Sequence, residues 1–238
     1  HFAVWQGRTL DHDRAIRANA EATGLVMAHC RNAEAALVAS TNSVYRAHED
    51  PWHSYVETDP LGDATAPHSP NYGVSKVSQE AVARTMARVL GLPTTIARIN
   101  ASYGPNGGLP AYHADWVATG EPVWLRAPGP NPYSPIHEED MTNQLAPLLD
   151  AASTPATIVN WCGDEVVTAE DWVDLFGQHL GVDPRPTYYD LAGSQPGSAA
   201  DATKRRSITG PCTVDWRSGM ISALEARRGR DPVPNRPT

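Results

Sequence analysis

A long helical stretch between two short apolar runs limits this chain more than any other feature. Glu34 to Ser40 reads as a buried strand running into Thr41 and Asn42. Tyr72 to Gly91 reads as a helix, with Val74, Val77, Ala81, Val82, Thr85, Met86, Val89 and Leu90 as its apolar stripe. Gly91 supplies the C-cap and Pro93 forbids continuation. Thr94 to Ile99 is then a β-branched run and reads as a second buried strand. Strand, loop, helix, strand is the rhythm of a parallel sheet with a right-handed crossover, so the chain is expected to be α/β.

The rest of the chain is read around that unit. Arg8 to Thr23 predicts a helix with Gly24 as its C-cap. Residues 47–71 form a long polar loop with four prolines, a length more often functional than idle. Residues 104–135 carry seven prolines and predict an irregular stretch that covers a cleft. Further on, helices are expected at Glu138 to Ala152, at Thr168 to Leu180 with Thr168 as cap, and at Ser218 to Arg228. Strands are expected at Thr157 to Trp161 and Pro186 to Tyr189, and the Pro-rich tail is expected to fray.

Composition excludes some partners. A net charge of −8 provides no basic footprint for a phosphate backbone, so no nucleic acid is expected. It does not exclude a dinucleotide, which is held mainly by backbone N–H groups and a helix terminus. No run is apolar for long enough to span a membrane, and no signal-peptide pattern is present. Cys30, Cys162 and Cys212 stand far apart, suiting neither a disulfide framework nor a metal site, so a reducing, cytoplasmic setting is the default.

The chemistry centres on Tyr72-Gly73-Val74-Ser75-Lys76. A tyrosine and a lysine four apart on a helix share one face. Lys204 is the only other lysine in the chain, so arginine supplies the remaining positive charge. The hydroxyls of Ser40 and Thr41 follow a strand that the fold brings close, which would complete a proton-transfer site for an alcohol or carbonyl carbon.

The residues in order resemble the extended short-chain dehydrogenase/reductase superfamily, also called NAD-dependent epimerase/dehydratases. The matching pieces are His1-Phe2-Ala3, Asn19, Ser40-Thr41-Asn42-Ser43-Val44-Tyr45, Tyr72 to Lys76, Arg98, Tyr103-Gly104-Pro105, Ile136-His137 and Asp140. The resemblance covers nearly the whole chain. It implies a Rossmann-like parallel sheet lacking its first strands, with a smaller C-terminal substrate-binding lobe. On that basis residues 1–103 belong to the NAD(P)-binding part and 104–238 to the lobe, with some late segments returning to the sheet.

The resemblance also implies roles. Tyr72 would be the acid/base, and Lys76 would hold the nicotinamide ribose of NAD or NADP and lower the tyrosine pKa by its charge. Thr41 would bond the substrate oxygen, with Ser40 as second choice. His1, Ala3 and Arg98 would stand near the cofactor, and Asn42, Ala101, Tyr103 and His137 near the substrate. The partner would be a small molecule of unknown identity. Proteins of this kind often dimerise through the helix equivalent to Tyr72–Gly91, so a homodimer is one expectation.

Departures matter as much. The Gly-x-x-Gly-x-x-Gly pyrophosphate loop is absent; its place would lie before His1, together with three strands, on the order of 70 residues. The chain therefore reads as a piece of a longer protein. Asn42 and Ser43 stand where sugar-nucleotide dehydratases carry Asp and Glu, which argues against water elimination there. Ala101 replaces the family asparagine, with Asn100 one place early, and Tyr133-Ser134-Pro135 replaces a family arginine. Both of those positions commonly face a substrate diphosphate.

Plainer readings stand beside these. Tyr72 and Lys76 could be an exposed pair, and Thr41 a turn hydroxyl. Asp140 could cap a helix while His137 is satisfied in the core. His48, His53 and His68 read as solvated loop residues, since their spacing fits no metal pattern. Trp5, Trp116, Trp124 and Trp161 suit either a pocket or the core. For function, the alternatives to an oxidoreductase are a non-catalytic nucleotide-sensing protein on the same fold, or an inactive fragment.

Overall fold

The computed structural model describes residues 1–62, 69–190 and 194–229; His68 and the Pro-rich tail from 230 lie outside them. In chain order the elements are α1 (His12–Ile16), a π-helical turn (Arg17–Glu21), α2 (Ala22–His29), β1 (Ala36–Thr41), a 3-10 turn (Asn42–Val44), α3 (Tyr72–Leu90) and β2 (Thr94–Ile99). Then follow β3 (Ser102–Tyr103), α4 (Leu109–Thr119), β4 (Val123–Arg126), β5 (Pro132–Tyr133), β6 (Ile136–His137), α5 (Glu138–Asp150) and β7 (Thr157–Trp161). The chain continues with β8 (Val167–Thr168), α6 (Ala169–Leu180), β9 (Pro186–Tyr189), α7 (Thr203–Thr209) and α8 (Trp216–Arg227). Among these residues no helix is long and apolar enough to cross a membrane.

The central sheet has the order β1-β2-β7, and both pairings are parallel. His1 extends it beyond β1, since the backbone oxygen of His1 accepts from Ala39 N at 3.1 Å. Side chains alternate across the strands, as the two-residue period requires. Val38 and Ile96 face Met27, Ala83 and Ala87 of α2 and α3. Leu37, Ala97 and Val159 face Leu148 of α5 on the other side. The lobe has a core of its own where α4, α6 and α8 meet β4, built on Trp116, Trp172, Phe176 and Met220. The late strand β7 does return to the main sheet, beside β2.

The structure corrects three expectations. Gly24 does not end the first helix, which runs on to His29. Gly24 lies inside it because a Cβ there would stand 3.0 Å from Val82 Cγ1, so it lets α2 close on α3. Residues 104–135 are not irregular: α4 and β4 form there. Pro110 sits in the first turn of α4, where a missing N–H costs nothing, so the proline count misleads.

The third correction concerns α3. Its buried face is Gly73, Ser75, Lys76, Gln79, Glu80, Ala83 and Ala87, whereas Val74 and Val89 of the expected stripe are exposed. Small residues bring the C-terminal half close to the sheet, and the N-terminal half meets polar partners. Asn19 donates to Ser75 Oγ (2.9 Å) and Gln79 to Thr23 Oγ1 (2.7 Å). A hydrophobicity pattern reports only the apolar part of such a face.

Candidate active site

Parallel strands present their C-terminal ends along one edge, and the site is built there from β1 and α3. Thr41 ends β1, and its hydroxyl caps the following 3-10 turn by accepting from Ser43 N. Helix α3 returns antiparallel to β1, so its first residue, Tyr72, comes back to that same strand end. The Thr41 and Gln6 side chains lie close enough to the Tyr72 hydroxyl to act on its titration. Burial pushes its pKa above the usual 10.0, and those two side chains pull it partly back. At neutral pH it is a protonated phenol.

Lys76 lies one turn further along α3 and is 2 % exposed. Its Nζ donates to the Ala39 carbonyl at 2.6 Å and lies 6.0 Å from the Tyr72 ring centroid. Burial lowers its pKa from 10.5 to about 8, while Glu80 opposes that fall. The lysine does not act on the phenol as the sequence led us to expect. Burial raises the Tyr72 pKa against the pull of Thr41 and Gln6, and the ammonium is given to the strand carbonyl.

The other sequence-derived residues divide. Ser40 points away from Tyr72 in bonding terms, since its hydroxyl is given to Glu80 Oε1 at 2.6 Å. Arg98 is engaged internally: it pairs with Glu80 at 2.8 Å, donates to the Glu57 carbonyl at 3.1 Å and lies over the Tyr45 ring. Those contacts make it a support for α3 and the long loop. His1 binds β1 through its backbone and Thr23 through its ring at 3.1 Å, and Ala3 is exposed.

Asn42, next to Thr41, is 2 % exposed and donates Nδ2 to both Ser198 O and Ser198 Oγ at 3.0 Å. Because a carbonyl can only accept, those bonds fix which end of the amide faces Ser198. Its Oδ1 is buried and has no partner among the described residues. Ala101 is held through its backbone, giving N–H to Asn100 Oδ1 and accepting from Ile136 N.

Tyr103 and His137 stand elsewhere, ring to ring at 5.1 Å, lining a cavity of 270 Å³ with Asp140, Glu165, Cys212 and Trp216. Thr41, Tyr72 and Lys76 do not line that cavity. His137, not Asp140, caps α5, and Asp140 instead accepts from Thr213 N, Thr213 Oγ1 and Val214 N. Trp116 and Trp161 are core residues. His48 and His53 stack at 4.0 Å, and His53 contacts Asp59 at 2.8 Å.

Sequence reasoning missed Gln6 and Glu80. Gln6 lies in an irregular segment with no pattern to mark it. Glu80 had a signal, because Tyr72, Lys76 and Glu80 repeat at four-residue spacing and so share one face.

The fold matches known proteins. The profile of the "NAD dependent epimerase/dehydratase family" matches residues 3–159. UDP-glucuronic acid 4-epimerase from Bacillus cereus, solved with UDP-glucuronic acid and NAD, superposes with a TM-score of 0.79 at 18% identity, covering 95% of this chain and 73% of that one. UDP-glucose 4-epimerase from Thermotoga maritima, solved with UDP-glucose, gives 0.79 at 21% identity, covering 96% and 76%. A dTDP-glucose 4,6-dehydratase from Streptomyces venezuelae, solved with NAD, gives 0.78 at 23% identity, covering 97% and 72%. No curated protein matches the sequence.

The buried ammonium makes a stability prediction. Between about pH 8 and 10.5 the unfolded chain holds a proton that folded Lys76 has released, so this residue makes stability rise with pH across that window. Its burden is full below pH 8. Lys76→Met should therefore be more stable than the parent at pH 7, by on the order of 1–3 kcal/mol after loss of the Ala39 bond. The advantage should shrink towards pH 10.5. Urea unfolding at pH 7 and pH 10 checks this; a difference that ignores pH would refute it.

Proposed function

Because this chain belongs to the NAD dependent epimerase/dehydratase family, we propose that it moves a hydride between a nicotinamide cofactor and a hydroxyl- or carbonyl-bearing carbon of a small molecule. The observation that carries this reading is the Tyr72 hydroxyl beside Thr41, with a buried Lys76 one turn away. That is a proton donor, a polarising hydroxyl and a cation on one strand end. NAD is bound in two of the similar solved structures, and the cofactor of this chain is NAD or NADP.

The residues fit such a cofactor in one respect. Among the described residues Lys76 spends one N–H on Ala39, and an ammonium has three to give. The remaining donors would hold the ribose hydroxyls of the cofactor. When bound, the nicotinamide supplies the acceptor or donor of hydride. Tyr72 gives a proton to the substrate oxygen in the reductive direction and takes one in the oxidative direction. Thr41 donates to that same oxygen and fixes its position. Asn42 follows Thr41, and its Oδ1, without a partner among the described residues, would accept from a substrate hydroxyl. Asn42 and Ser43 carry no titratable group, so an epimerase or a simple reductase is the reading and a dehydratase is not.

We also propose a homodimer, supported by the exposed Leu25, Val26, Val74 and Val89 on the packed helices α2 and α3. Val89→Glu should convert a dimer to a monomer in sedimentation equilibrium. A parent that is already monomeric would refute the dimer.

Tyr72→Phe should lower turnover by about 10²–10⁴-fold, the usual worth of a positioned acid/base, and leave NADH affinity nearly unchanged. Lys76→Ala should weaken NADH about 10- to 100-fold, the worth of hydrogen bonds from a charged donor. Fluorescence titration and turnover assays over a panel of hydroxylated substrates, nucleotide sugars included, check both. Retained turnover in Tyr72→Phe would overturn the assignment.

A further inference from the structure

Glu80 lies one turn beyond Lys76 on α3, as Lys76 lies one turn beyond Tyr72. It is 3 % exposed, and two strands fill its carboxylate. Ser40 of β1 donates to Oε1 at 2.6 Å, while Arg98 of β2 donates Nε to Oε1 at 2.9 Å and Nη2 to Oε2 at 2.8 Å. The arginine is fixed in turn, over Tyr45, whose hydroxyl donates to Asn160 Oδ1 on β7 at 2.6 Å. One buried carboxylate thus joins α3 to β1 and β2, with a chain of contacts reaching β7.

Two successive residues of β1 hold two successive turns of α3. The Ala39 carbonyl takes the Lys76 ammonium, and the Ser40 hydroxyl is given to Glu80. The helix cannot slide or rotate on the strand without breaking a buried, charge-assisted hydrogen bond. Tyr72, a turn ahead, inherits that register and meets Thr41.

We infer that Glu80 is a positioning residue for the Tyr72–Lys76 pair, a role that rests on the proposed reaction: it sets α3 on β1 and keeps Lys76 an ammonium. Charge accounting carries the second half. Lys76, Glu80 and Arg98 together hold two positive charges and one negative in a buried cluster. The other titratable groups around it are Tyr72 on α3, Tyr45 after β1, Glu57 of the long loop and His1 beside β1. Remove Glu80, and two buried cations are left without their counter-charge. Arginine cannot shed its proton, so Lys76 is the group that neutralises. Remove Arg98 instead, and Glu80 is left to Lys76 alone. The two changes therefore push Lys76 in opposite directions.

With only two lysines in the chain, ¹³Cε-lysine NMR resolves the question residue by residue, and Lys204→Arg assigns the signals. Glu80→Gln should lower the Lys76 titration midpoint by about one unit or more, Arg98→Met should raise it, and Lys204 should not move. A scaffold role alone produces no such opposition of sign. An unchanged Lys76 midpoint in Glu80→Gln would overturn the inference. Should that variant not fold, Glu80→Asp keeps the charge but withdraws it by a methylene: a lowered midpoint supports the role and an unchanged one overturns it. NADH titration across pH is run beside it, where the pH at which binding weakens should fall together with the Lys76 midpoint. If the parent binds no NADH, the proposed reaction fails, and the lysine titration still decides what Glu80 does.

Discussion

The structure turns on burying one lysine. An ammonium taken out of water is costly unless it is bonded and offset by charge. Lys76 has both, the Ala39 carbonyl and the carboxylate of Glu80 one turn on. Glu80 in turn needs Arg98, and Arg98 needs the Glu57 carbonyl and the Tyr45 ring. Each partner lies on a different segment, so the cost of one buried charge specifies how α3, β1, β2 and the long loop meet. Polar contact, rather than apolar packing, sets the helix face in the half that carries Tyr72.

The late part of the chain is tied to the same edge. Ser198 accepts from Asn42 after β1 and from Asn100 after β2, the latter at 2.5 Å. Tyr55 N donates to Ala199 O, and Ser134 Oγ donates to Ala200 O. A segment remote in sequence therefore lies across the strand ends beside Thr41. It holds Asn42, the residue next to Thr41, by its amide nitrogen. The cavity at Tyr103 and His137 belongs to a separate part of the lobe, where Asp140 pins residues 213 and 214.

Much of this was legible in the sequence. The two strands around α3, the helix with its Gly91 cap, β7, and α6 with its Thr168 capping box all follow from local rules, and the structure has them. The Thr41, Tyr72 and Lys76 motif was legible because spacing alone puts two of the three on one face. What was not legible depends on tertiary partners. The buried face of α3 is polar because Ser40, Arg98, Asn19 and Thr23 meet it, and no window of its own residues shows that. Pro110 hid α4, since only its position within a turn decides whether proline breaks a helix. The rise of the Tyr72 pKa was not legible because its main cause, burial, is a property of the packed fold.

In the proposed reaction Tyr72 is a protonated acid in the free protein and a base once the cofactor is bound. Titrating the chain labelled with ¹³Cζ-tyrosine, Tyr72 assigned through Tyr72→Phe, tests that without any knowledge of the substrate. Without cofactor the Tyr72 resonance should titrate above pH 10, in keeping with its burial. Saturation with oxidised cofactor, whose nicotinamide ring is a cation, should bring the midpoint below its free value. A midpoint that stays where it was at saturating cofactor would contradict the claim.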